Sequence, residues 1–79
     1  MNHVCPGVPK GADCVIYIVE TDDGHEAGVK ADGVRRLRHE FVGDRSRDAA
    51  ESYAIWMSTI LGRYCQVGEI SFDMDRQPC

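Results

Sequence analysis

A chain of 79 residues with a formal net charge of -4 has room for one small hydrophobic core and repels the phosphates of nucleic acid overall. Its 43% hydrophobic and 28% charged residues exclude a disordered composition, and no apolar run approaches the roughly 20 residues that span a bilayer. The start, MNHVCPGVPKGADC, has neither the basic residues nor the apolar stretch of a secretion signal, which places the protein in the cytoplasm with its cysteines reduced. Residues 1–13 carry two prolines and two glycines without periodicity and read as an irregular arm on a single domain spanning 1–79.

Cys14 to Glu20, CVIYIVE, is β-branched and aromatic and closes on the turn signal TDDG, so it is the first strand. Alternation puts Val15, Tyr17 and Val19 on one face and Cys14, Ile16 and Ile18 on the other, both apolar. HEAGVKA forms a shorter second strand, with Ala27, Val29 and Ala31 aligned. Asp32-Gly33 is the dipeptide a two-residue hairpin prefers, because both positions need positive φ. VRRLRHEFV then fits two periods. A helix would align Val34, Leu37, Arg38 and Phe41; a strand aligns Leu37, His39 and Phe41 against Arg36, Arg38 and Glu40. The tight turn before it favours the strand.

The most strongly patterned stretch is Ser46 to Gly62, SRDAAESYAIWMSTILG. At about 100° per residue, Trp56, Ala49, Ile60, Tyr53, Tyr64, Met57, Ala50, Leu61 and Ala54 share an arc of about 160°, which defines one amphipathic helix. Ile55 alone stands among the polar residues. Asp44 or Ser46 is the expected N-cap, and Gly62 the left-handed stop. In QVGEISFDM, Ile70, Phe72 and Met74 alternate with acidic residues and serine, which gives a last strand. The order β-β-β-α-β predicts an α+β domain in which one helix lies across an antiparallel sheet of about four strands.

One helix covers one face, so the two-faced first strand leaves apolar residues in need of another cover. Val15, Ile16, Tyr17, Ile18, Val19 and Ile55 are therefore the expected interface of a homo-oligomer. A second expectation comes from charge. Arg35, Arg36, Arg38, Arg45 and Arg47 fall in one short stretch, a candidate site for a phosphate or an acidic partner unless Glu40, Asp44 and Asp48 neutralise it.

Catalysis has candidates without a signature. Cys14 or Cys65 could act as a nucleophile only with His25 or His39 beside it, or a carboxylate to orient the histidine. No catalytic residue, metal ligand or cofactor is assigned. His3, Cys5 and Cys14 lack zinc-site spacing, and Glu20, Asp22, Asp23 and Glu26 lack that of a calcium loop and read as a solvated hairpin turn. With VIYIVETDDGHEAGVKADG as its hairpin and SRDAAESYAIWMSTILG as its packing helix, the chain resembles in size and layout the short orphan proteins of bacterial mobile gene cassettes of the integron type. The resemblance implies a bacterial, cytoplasmic protein with an adaptive binding role and carries over no active site.

Overall fold

A computed structural model describes residues 8–74. Three strands, β1 (Cys14–Glu20), β2 (Gly24–Ala31) and β3 (Val34–Val42), precede the helix α1 (Ser46–Ile60), a π-helical turn over Leu61–Cys65 and a final strand β4 (Ile70–Met74). The sheet has the order β3-β2-β1-β4. Consecutive hairpins make the first three strands antiparallel, which leaves β1 and β3 running in the same direction. Because α1 carries the chain back, β4 sets out in that direction too and pairs parallel with β1, with Cys14 opposite Ile70 and Ile18 opposite Met74. The expected α+β domain is therefore present, with one parallel pair in an otherwise antiparallel sheet.

Residues 34–42 are a strand. Asp32 and Gly33 take φ of 54° and 81°, the doubly left-handed turn that matches the twist of a two-residue hairpin, and Ala31 faces Val34 across it. A β-bulge lies one pair further on: Lys30 faces Arg35 and Val29 faces Leu37, so Arg36 is the extra residue.

The core forms between α1 and one sheet face. Cys14, Ile16 and Ile18 of β1 and Ala27, Val29 and Ala31 of β2 meet Ala50, Ala54, Met57 and Leu61, all buried, and Val8, Ala12 and Cys65 close the cluster. Small residues on both sides, alanine against alanine, let the helix sit low on the sheet. Trp56 and Tyr64, expected on the packed arc, remain 57% and 56% exposed. They stand at its margins, where a helix over a narrow sheet leaves its flanking side chains half in solvent, Trp56 with its ring 6.3 Å from that of Tyr53.

Both helix ends differ from expectation. No side chain caps the N-terminus, where Arg45 occupies the cap position. Ser46 is buried, and its hydroxyl lies 2.8 Å from Nδ1 of His25. At the other end the chain passes through Gly62 without turning and ends at Gln66, which takes the left-handed conformation with φ of 51°. The apolar positions Leu61 and Cys65 explain the extension, since both are buried and a helix stopped at Gly62 would leave Cys65 outside the core.

Candidate anion-binding face

Among the described residues the second face of the sheet bears no helix, and the register determines what it displays. Across one row lie Ser71, Val15, Lys30 and Arg35; across the next lie Asp73, Tyr17, Gly28 and Arg38; across the third lie Val19, Glu26 and Glu40. The corner next to the Asp32-Gly33 hairpin is consequently basic, and the opposite end is acidic.

Tyr17 is the centre of this face, and it is only 3% exposed although no helix or strand among the described residues packs over it. Its ring lies across Gly28, where a Cβ would come within 2.6 Å of the phenol oxygen and would also meet the Leu37 carbonyl. Only glycine opposite Tyr17 lets the ring lie flat. Lys30 Nζ and the Arg35 guanidinium carbon each stand 5.5 Å from the ring centroid, so two aliphatic stems and two cations cover the aromatic surface. The hydroxyl donates a 2.6 Å hydrogen bond to Glu26, whose carboxylate also lies 3.8 Å from an Arg35 nitrogen. Burial, and then the hydrogen bond to Glu26 and its charge, push the Tyr17 phenol up to about 12 against the opposing pull of Arg35 and Arg38.

The residues expected to form a self-association surface fall in three separate places. Ile16 and Ile18 lie under the helix at 0% and 4% exposure. Val15, Tyr17 and Val19 are on the open face, with Tyr17 already covered and Val19 39% exposed. Ile55 points outward from the helix at 65% exposure. Over Tyr17 that cover is supplied by Lys30 and Arg35, whereas Val19 keeps its exposure.

The arginine cluster also divides. Arg35, Arg36 and Arg38 stand at the basic corner, whereas Arg45 and Arg47 lie past the other end of β3, some 20 Å away at strand rise. Glu40, Asp44 and Asp48 do not neutralise the cluster. The arginine ion pairs among the described residues are Arg35 with Glu26 and Arg47 with Glu51, and Arg36, Arg38 and Arg45 make none. Lys30 belongs to the corner and was not among the expected residues, although the hairpin that pairs it with Arg35 was readable from Asp32-Gly33. Glu26, expected in a solvated turn, is instead 8% exposed beneath Arg35.

Groups that could support catalysis are dispersed. Burial, together with the nearby Asp32 and Asp13 carboxylates, pushes the Cys14 thiol up and so keeps it protonated and weakly nucleophilic. His25 is engaged with Ser46. His39 is exposed at the rim, its ring 4.5 Å from Phe41 and stacked 5.5 Å from Tyr53. His3 and Cys5 lie outside the described residues, and among the described residues no three metal-binding side chains come together. Nor is any described helix long and apolar enough to cross a membrane. Comparisons with protein-family models, with curated proteins and with solved structures return no match.

Proposed function

We propose that this protein is a binding module that engages an anionic, phosphate-bearing partner through the open sheet face around Tyr17. The observation that carries this reading is the convergence of Lys30, Arg35 and Arg38 on a surface that no described helix or strand covers, where among the described residues Arg35 alone of the three has an acidic neighbour within ion-pair distance. Arg36, set in the bulge beside them, adds a fourth cation. Unneutralised guanidinium groups donate paired hydrogen bonds to phosphate oxygens, and Tyr17 with Gly28 forms a firm floor beneath them. Glu26 and Glu40 bound the site on one side, so an anion is directed toward the hairpin corner rather than along the whole face. An adaptive binding role in a bacterial cytoplasm, which the resemblance to cassette-borne proteins implies, agrees with a module of this kind.

Salt provides the test. Anisotropy of a labelled single-stranded oligonucleotide, titrated with the protein at several salt concentrations, should give an affinity that falls steeply with salt. Arg38→Ala should weaken binding and reduce the salt slope by about one, while Arg45→Ala leaves both unchanged. Absence of binding at low salt to the oligonucleotide and to polyphosphate alike would sink the proposal.

A further inference from the structure

The two edges of the sheet are unlike. On one side β3 is nine residues long, interrupted by the bulge and studded with Arg35, Arg36, Arg38 and Glu40. Bulges and charges are devices that keep an edge from pairing with another chain. On the other side β4, ISFDM, has no bulge, no proline and no basic residue. The helix packs chiefly on β1, β2 and β3, and on β4 Ile70 alone joins the edge of the core, beside Gly62. Phe72 and Met74, on the helix side of the sheet, are in consequence 49% and 39% exposed.

The backbone of β4 is oriented for pairing. The Cys14 N–H donates to the Glu69 carbonyl at 2.8 Å, so Glu69, Ser71 and Asp73 direct their peptide groups toward β1. Alternation turns the N–H and C=O groups of Ile70, Phe72 and Met74 outward, away from the sheet. We infer that the partner on this edge is a second copy of the chain, whose β4 pairs antiparallel with this one about a two-fold axis through Phe72.

Over the five residues of β4 that register is self-complementary. Phe72 faces its symmetry mate and Ile70 faces Met74, so every outward N–H of one copy meets an outward carbonyl of the other. The apolar side chains of both strands share the helix side, where Phe72 and Met74 cover one another between the two helices. On the open side, within Ile70–Met74, Ser71 faces Asp73, a hydroxyl opposite a carboxylate, and no two like charges of the strand itself stand opposite. The assembly is closed, because a two-fold axis uses up both β4 edges and leaves only the protected β3 edges outside. It extends the open face into one continuous surface and occupies none of the basic corner, so it stands or falls apart from anion binding.

Light scattering on a sizing column, with reductant present to exclude disulfides, tests the inference. The mass should rise from 8.8 kDa toward twice that value between low micromolar and millimolar concentration. Phe72→Lys and Phe72→Glu place like charges directly opposite across the axis, so each alone should be monomeric at every concentration. An equimolar mixture of the two should regain the dimer mass. Should either variant fail to fold, amide hydrogen exchange of the unaltered protein decides: Ile70, Phe72 and Met74 should gain protection with concentration, while Ser71 and Asp73 are protected throughout. A wild-type mass fixed at 8.8 kDa, charge variants that still dimerise, or exchange at Phe72 that ignores concentration would overturn it.

Discussion

Tyr17 and Glu26, on neighbouring strands of the open face, share a 2.6 Å hydrogen bond in which a phenol donates to a nearly buried carboxylate. Tyr17→Phe removes the one hydrogen-bond donor to that carboxylate found among the described residues and leaves it Arg35 at 3.8 Å, and losing a hydrogen bond to a nearly buried charged acceptor costs about 1–3 kcal/mol. Chemical denaturation should show that loss at neutral pH. Glu26→Gln should cost less, because its amide oxygen still accepts from the phenol and no charge is left buried.

The same pair makes stability depend on alkaline pH. The Tyr17 phenol ionises near 10 in the unfolded chain and is pushed up to about 12 in the folded one, so between those values the folded state holds more protons. Stability from this group is complete below about pH 10 and is lost as pH rises through 12, on the order of 2–3 kcal/mol in all. Tyr53, raised by burial, adds the same sign. Denaturation at about pH 9 and about pH 12 should therefore show a smaller alkaline decline in Tyr17→Phe than in the unaltered protein. Equal declines would mean that Tyr17 does not hold its proton as described.

Gly28 carries a different constraint. A methyl group there would meet the Leu37 carbonyl as well as the Tyr17 ring, one of them backbone that cannot step aside. Gly28→Ala should destabilise by about 1–3 kcal/mol through overpacking, despite alanine's lower entropic cost on folding. Thermal melts of Gly28→Ala and of Gly28→Ala with Tyr17→Ala separate the two contacts, and the double variant should recover only part of the loss.

Much of this was readable from the residues, and the misses share a cause. Hydrophobic period located the strands and the helix, and Asp32-Gly33 decided the strand assignment of 34–42 by fixing a turn. Period says which residues share a face, but not which face the helix takes. Ile16 and Ile18 were therefore expected in an interface although they form the core. Nor does one-dimensional clustering survive a strand: Arg35 and Arg47 are close in sequence and lie at opposite ends of β3. Glu26 and Lys30 needed cross-strand pairing to be placed, which their own neighbours do not supply. The edge position of β4 becomes visible only once strand order is known.

Ile16 provides a control on any assembly experiment. It is fully buried against the helix, so Ile16→Ala should cost about 2–5 kcal/mol by opening a cavity in a small core. A loss of association in that variant would report unfolding, which far-ultraviolet circular dichroism would reveal directly. Phe72, half exposed on the edge strand, can be changed with the core intact, and the two substitutions together distinguish a broken fold from a broken interface.

Glycine and glutamine at the helix end offer the sharpest contrast with expectation. Were Gly62 the left-handed stop, alanine there would be strained and the protein weakened. Instead Gly62 lies within the helical run, and an added Cβ would find only Ile70 Cδ1 at 3.7 Å, an ordinary contact. Gly62→Ala should then stabilise by about 0.5–1 kcal/mol, the usual advantage of alanine over glycine inside a helix. Gln66, at φ of 51°, bears the left-handed conformation that glycine adopts freely. Gln66→Gly should leave stability unchanged or raise it, and Gln66→Val should lower it, because a β-branched side chain crowds that conformation most. Thermal denaturation of the three variants gives an order, with Gly62→Ala above the unaltered protein and Gln66→Val below it. A destabilised Gly62→Ala would instead put the helix end at Gly62.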